Sequence, residues 1–388
     1  MKKLFFWALA AMALVACQKG YTLSGECGTL NGQAKLSYGL PDGTPFSEET
    51  ELKDGKFSFK GETPDVLEAT VTLTPEGGDP IRARLYIENA RIHMIINPEK
   101  IVDYAKYGGK VFSDVSVSGG RSNEFNNALE KAREEVNQLP EFKDLAAAQE
   151  ELSAMGYVDM AAYDAKRDEI SKRFADVRSE YAKKLREASS LCIKQFPDAE
   201  AAALMYYIYD NEKPFEEFEA GFNQFTEKVR ESFLATRVRE ELVARRATQP
   251  GAEAPDFTLN DPDGKPVTLS QLRGQYVIVD FWASWCKPCR AGVPAMKELY
   301  AKYHDKGLEI LGVSDDSNHD AWKKALEEDQ TAWIHVVDEF PEKNKPSRVG
   351  TLYGVHYIPS YFLLDKEGKV IGKMNHEELE AKLAELLD

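Results

Sequence analysis

Near the front of the chain, apolar and polar residues alternate one for one. Tyr21-Thr22-Leu23-Ser24-Gly25 and Lys56-Phe57-Ser58-Phe59-Lys60-Gly61 both follow this rhythm. A period of two puts every second side chain on one face, as a half-buried strand requires. Residues 66–74, 83–88 and Arg91–Ile96 continue the pattern, and Pro41-Asp42-Gly43 and Asp54-Gly55 supply turns. Residues 20–117 therefore predict a small antiparallel β-domain, a sandwich or a curled sheet. From 121 to 247 the rhythm changes. The stretch 163–194 contains no Pro or Gly. Within it Ile170, Phe174, Val177, Tyr181, Leu185, Ala188 and Cys192 recur at three- and four-residue steps, one face of a helix. Pro197-Asp198 and Pro214 begin further helices. The region reads as an α-helical hairpin or bundle, either a spacer and homodimer surface or a substrate-binding module.

Residues 248–256 carry Pro250, Gly251 and Pro255 and read as a linker. Beyond it, residues 252–388 alternate strand and helix. Phe257-Thr258-Leu259 and Pro266-Val267-Thr268-Leu269 bracket Asp263-Gly264 as an opening hairpin. Residues 276–281 form an apolar strand, and a helix follows to 306. Leu308–Ser314 is a strand, 320–328 a helix and 333–337 a short strand. Residues 360–365 and Val370–Met374 pair as a hairpin, and His376–Leu387 closes as a helix. This is an α/β layout with a mixed sheet. The expected fold is multidomain: β-domain, helical region, α/β domain.

A length of 388 residues fits more than one domain, and 43% hydrophobic with 29% charged residues is an ordinary globular mixture. The net charge of −16 argues against nucleic acid as a partner and against basic docking on anionic lipid. The first residues add an address. Lys2 and Lys3 precede an unbroken apolar run over 4–16, shorter than the roughly 20 residues a bilayer-spanning helix needs. That is the pattern of a secretory signal. It ends in Leu14-Val15-Ala16-Cys17, which looks like the lipobox of bacterial lipoproteins. The resemblance implies that residues 1–17 form a signal peptide cleaved before Cys17, which becomes lipidated. The mature protein would then be anchored in the cell envelope, facing the periplasm. Gln18, where Asp would resemble an inner-membrane retention signal, leans toward the outer membrane. An ordinary signal peptide with an incidental cysteine is the alternative.

Candidate chemistry converges on one short stretch. The chain has five cysteines, too few for a disulfide-built scaffold of this length. Cys286-Lys287-Pro288-Cys289 follows an apolar strand and opens a helix. Two cysteines at this spacing can close into a small disulfide and reopen. Cys286 would sit at the helix N-terminus, where unpaired N–H groups and the macrodipole stabilise a thiolate, the attacking species. Cys289, one turn in and more buried, is placed to attack the mixed disulfide and release product. Pro288 fits the first turn, where its missing N–H costs little. Lys287 adds a positive charge beside the thiolate. Structural zinc usually takes four Cys/His ligands, and neither a second such pair nor a nearby histidine exists. No cofactor or metal is expected. Cys192 reads as a core thiol and Cys27 lies among glycines, with a bond between the two left open.

The decapeptide Asp280-Phe-Trp-Ala-Ser-Trp-Cys-Lys-Pro-Cys289 resembles the thioredoxin superfamily, and more closely the TlpA/ResA-like membrane-tethered thiol–disulfide oxidoreductases. The resemblance covers about residues 252–388. It implies a thioredoxin-like fold with Cys286 and Cys289 as the redox pair and Trp285 on the partner-facing loop. It also implies that Asp280 is a buried acid beneath the pair that exchanges a proton with Cys289. Ile358-Pro359 falls on the cis-proline loop facing the pair, with Ile358 near the Cys286 sulfur. Many ResA-like proteins carry a Glu three residues after the second cysteine. Gly292 stands there, which shifts the proton-handling role onto Asp280. The extra residues between 315 and 341 also suit this group, and Asp315-Asp316 reads as a loop capping the next helix. Tyr21-Thr-Leu-Ser-Gly25 and Gly55-Lys-Phe-Ser-Phe-Lys-Gly61 resemble the β-rich domain of unassigned function at the front of such lipoproteins.

The leading functional expectation is reduction or exchange of protein disulfides, with recharging by a DsbD-like membrane electron donor. A dithiol oxidase or isomerase is the nearest alternative, and a binding or adhesion lipoprotein with an accessory redox domain is another. Peroxiredoxins need Pro-x-x-x-Thr-x-x-Cys, whereas Val279 and Ala283 occupy the Pro and Thr positions.

Overall fold

The structure is a computed structural model and describes residues 20–105, 108–340 and 347–388. The expected signal, Cys17 and its lipid lie outside the described residues. The chain divides into two compact units, Met1–Val238 and Arg239–Asp388.

The first unit opens with two β-sheets. One has four strands in the order Val115–Ser118, Arg91–Ile96, Tyr21–Glu26, Lys56–Gly61. The other has six, in the order Pro45–Leu52, Gly32–Gly39, Leu67–Pro75, Ile81–Ile87, Lys110–Phe112, Ile101–Asp103. Alternate residues from both sheets, among them Leu23, Phe59, Ile92, Leu36, Val71 and Leu85, bury into one core. This is a sandwich whose period-two pattern matches its burial. Two pairings correct the expected all-antiparallel arrangement. Tyr21–Glu26 runs parallel to Arg91–Ile96, and Ile81–Ile87 parallel to Lys110–Phe112. These partners lie far apart in sequence, where no hairpin turn dictates direction.

Helices follow, beginning with Arg121–Asn137. It is fastened to the sandwich by Asn123, whose carboxamide donates to the Tyr86 carbonyl at 2.8 Å and accepts from the Tyr86 N–H at 3.0 Å. The apolar face over 163–194 is present but the helix is not continuous. Met160–Arg173 and Arg178–Lys194 are separated at Phe174, whose φ of −115° and ψ of 24° leave the helical region. Phe174 and Val177 both pack against Val136, Phe142, Leu145, Ile170 and Tyr181. Tertiary packing selects the break, as it overrides propensity elsewhere. Cys27 and Cys192 are both buried and unbonded.

The second unit carries a seven-stranded mixed sheet. Its order is Pro266–Thr268, Thr258–Asn260, Ile334–Val337, Leu308–Ser314, Tyr276–Trp282, Ser360–Leu364, Val370–Met374. Leu308–Ser314 pairs in parallel with the strands on either side of it, and the other pairings are antiparallel. Tyr276–Trp282 and Leu308–Ser314 are buried almost throughout, which explains their largely apolar sequences, interrupted by Asp280 and Glu309. Helices Lys287–Tyr303 and His376–Leu387 contribute Met296, Leu299, Tyr303, Leu379 and Leu383 to a core with Ile278, Ile310 and Leu363. Val277, Val279, Leu311 and Phe362 form a second core with Val349 and Tyr353.

Two sequence boundaries move. The units divide inside helix Thr236–Ala247, so its end belongs with the α/β fold. The segment 248–256 is no free linker. Gly251 and Ala254 donate to the carbonyls of Val370 and Gly368, and the Val370 N–H donates to Ala252. These bonds tie it along the last hairpin.

Candidate active site

Strand Tyr276–Trp282 delivers the site. Its exit runs through Ala283-Ser284-Trp285 into helix Lys287–Tyr303, with Cys286 as the residue that caps the helix. Cys286 and Cys289 form a disulfide, with Cα atoms 5.3 Å apart. The Cys289 N–H points at Cys286 Sγ at 3.2 Å, so the sulfur occupies the place of a capping acceptor. A thiolate in that position would receive the same N–H and the helix dipole. Cys286 is 4% exposed and Cys289 6%. The expectation that Cys289 is the more buried of the two is therefore corrected: Ile358 and Trp282 pack against both cysteines. Lys287 and Pro288 are exposed, and Trp285 stands 63% exposed beside the disulfide.

Opposite the pair, Ile358-Pro359 is a cis peptide, and the Ile358 carbonyl lies 3.8 Å from Cys286 Sγ. The loop is held from behind by His356, whose Nε2 lies 2.6 Å from the buried carboxylate of Glu241. Tyr357, next in line, is 68% exposed.

Below the pair, Asp280 is buried, and its Oδ1 has no hydrogen-bond partner among the described residues. Desolvation alone pushes its carboxyl up to about 7. A cavity of about 10 Å³ connects it to Cys289. That is close to the smallest space that admits a water molecule. The cavity is also lined by Tyr361, Trp282, Trp333 and His335. Gly292 sits above Tyr361, whose hydroxyl is 3.7 Å from where a Gly292 Cβ would stand.

Asp316 went unrecognised in the sequence. It does not cap the helix His319–Asp329, which Asn318 caps. Nor is it solvated, being 1% exposed. Its carboxylate accepts from the Ser284 N–H at 2.7 Å, the Ser284 hydroxyl at 2.6 Å and the Ser314 hydroxyl at 2.7 Å. It thereby fixes the loop that carries Trp285 and Cys286. An Asp two residues after a buried strand was the available signal, but its target lies 32 positions upstream.

Residues 250–373 match the AhpC/TSA family, and residues 21–125 match the domain of unknown function DUF4369. Thiol-disulfide oxidoreductase ResA of Bacillus thuringiensis is 36% identical over 137 residues, covering 35% of this chain and 76% of that protein. The chain belongs to the ResA-like thiol-disulfide oxidoreductases. Thioredoxin-like protein YneN of Bacillus subtilis is 34% identical over 140 residues, covering 35% of this chain and 79% of that protein. Among solved structures, the thioredoxin domain of a thiol-disulfide oxidoreductase from Bacteroides vulgatus aligns at 33% identity. It covers 36% of this chain and 99% of that one, with a TM-score of 0.34. In this ResA-like oxidoreductase, buried Val279 and Ala283 leave no threonine hydroxyl at the position a peroxiredoxin would use.

Proposed function

We propose that this protein reduces or exchanges protein disulfides, with Cys286 as nucleophile, Cys289 as resolving thiol and Asp280 as the group that takes the Cys289 proton. The observation that carries the reading is the stacking of three parts. Cys286 Sγ lies at a helix N-terminus, the Ile358 carbonyl faces it at 3.8 Å, and the buried Asp280 shares a cavity with Cys289. The partner-facing loop offers exposed Trp285 and Tyr357 as apolar contacts for an extended peptide around a substrate cysteine. Reduction is favoured over oxidation because proline, not a Pro-His pair, precedes the second cysteine. A Cys17 lipid anchor in the envelope, leaning to the outer membrane, and a DsbD-like electron donor complete the proposal. Among the described residues no helix is long and apolar enough to cross a membrane.

The purified protein should catalyse dithiol reduction of a model protein disulfide, and Cys286→Ser should abolish it. A wild-type protein with no such activity would overturn the reading. The reduction potential of the pair then decides direction. A value near about −270 mV marks a reductase and one near about −120 mV an oxidant.

A further inference from the structure

Asp280 belongs to a row that crosses four strands. Its backbone partners are Tyr361 on one side and Gly312 on the other, and Gly312 pairs in turn with His335. Residues paired in this way point to the same face of a sheet. The row therefore reads Tyr361, Asp280, Gly312, His335 beneath the helix that carries Cys289. Gly312 is the member without a side chain, and a Cβ there would lie 2.5 Å from His335 Nδ1 and 3.2 Å from Trp282 Nε1. The imidazole thus leans over the glycine from the strand on one side, and the Trp282 indole N–H from the strand on the other, the strand that also carries Asp280 one spacing of about 4.8 Å away.

The polar atoms around this gap are buried and unmatched. Asp280 Oδ1, His335 Nδ1, Trp282 Nε1 and Trp333 Nε1 have no hydrogen-bond partner among the described residues. Buried polar groups are normally paired, and unpaired ones mark a bound water or a catalytic role. Asp280 and His335 also line the cavity that reaches Cys289. The far nitrogen of His335 is occupied: Nε2 lies 2.7 Å from the Thr331 hydroxyl. Thr331 is partly exposed, so the imidazole spans from the buried gap to the edge of solvent.

We propose that His335 is a relay that carries protons between Asp280 and solvent, across the gap left by Gly312 and out through Thr331. The inference rests on the function proposed above, with Asp280 as acceptor of the Cys289 proton. In the resolving step the Cys289 thiol gives its proton to the Asp280 carboxylate. The thiolate forms a bond to Cys286 Sγ, the bond between Cys286 and the substrate sulfur breaks, and its electron pair leaves on the substrate thiolate. Asp280 is then a buried carboxylic acid. A neutral imidazole can accept its proton at one ring nitrogen, through one bridging water, while releasing a proton from the other nitrogen toward Thr331. The departing substrate thiolate takes up a proton from solvent, so charge and mass balance. Desolvation holds the His335 imidazole neutral, with its titration pushed down to about 3. The other titratable groups facing the gap are Cys289, Tyr361 and Asp329, the last paired with Arg290.

The test is multiple-turnover reduction of a model protein disulfide with excess dithiol, followed in the full-length protein from pH 6 to 9, in H₂O and D₂O, beside single-turnover release of substrate thiol from the Cys286 mixed disulfide. Wild type, Asp280→Asn, His335→Phe and Thr331→Val are compared. His335→Phe and Thr331→Val should each slow turnover about tenfold, with an enlarged solvent isotope effect, while the first release, which precedes the relay, stays near wild type. A structural role for His335 would lower stability without moving the isotope effect or the pH profile. If His335→Phe lacks native near-UV circular dichroism, Thr331→Val alone decides. Turnover and isotope effect within twofold of wild type in the folded variants overturn the relay. That result with a slow Asp280→Asn sinks only the relay. A wild-type-like Asp280→Asn sinks the acceptor and the relay together.

Discussion

At the scale of single residues, the redox pair is built from contiguous chemistry: strand, turn, two cysteines and helix follow one another between 276 and 303. Asp280 stands near the end of that strand, and the helix and sheet that close over it give it its depth. A carboxyl held near 7 predicts that resolution by Cys289 accelerates as pH rises through about 7, and that Asp280→Asn flattens this rise and slows release roughly 100-fold. Stopped-flow thiol release measures both. Cys27 and Cys192 give a contrasting expectation. Burial pushes the Cys27 thiol up to about 11 and raises that of Cys192 as well. Neither should react with iodoacetamide in the native protein at pH 8, whereas both should in denaturant, as mass spectrometry can count. His335 had no sequence signal. It is a lone histidine in an apolar strand, and its link to Asp280 runs through two strand pairings that periodicity cannot reveal.

At the scale of elements, the strands and helices of the second unit followed from their patterns, because buried parallel strands read as apolar runs and amphipathic helices as three-and-four steps. Loops carried less. Asp315-Asp316 looked like solvated turn chemistry, yet Asp316 is the buried anchor of the redox loop. Its partners in Ser284 and Ser314 come from two neighbouring strand ends, a proximity created by their parallel pairing. Asp316→Ala should leave the Ser284 N–H unpaired and the loop loose. We expect a loss of about 1–3 kcal/mol in denaturant unfolding and slower disulfide exchange, while Asp316→Asn, which keeps one acceptor, loses less. The helix break at 174–177 has a similar origin. Periodicity marked the buried face correctly, but only the neighbouring cluster shows where the chain must bend.

At the scale of the whole molecule, three regions were legible and two compact units were found. Composition marks a proline- and glycine-bearing stretch as a linker, but it cannot see the backbone bonds that 251–254 make with the last hairpin. A fragment beginning at residue 239 should therefore fold and retain exchange activity, and one beginning at 258 should melt several degrees lower. Calorimetry on the two separates them. The buried row also sets where protons are held. Between about pH 4 and 6.5 an unfolded chain keeps a proton on residue 335 and none on residue 280, whereas the folded protein keeps one on 280 and none on 335. Each state holds one, so across this window the two sites together give stability no slope with pH. Removing either partner should expose the other. In Asp280→Asn, stability should fall as pH drops from 6.5 toward 3. In His335→Phe, it should fall as pH climbs from 4 toward 7, at up to about 1.4 kcal/mol per pH unit in each case. Urea midpoints at pH 4, 5, 6 and 7, with each variant read as its difference from wild type, would show a balanced pair as opposite tilts.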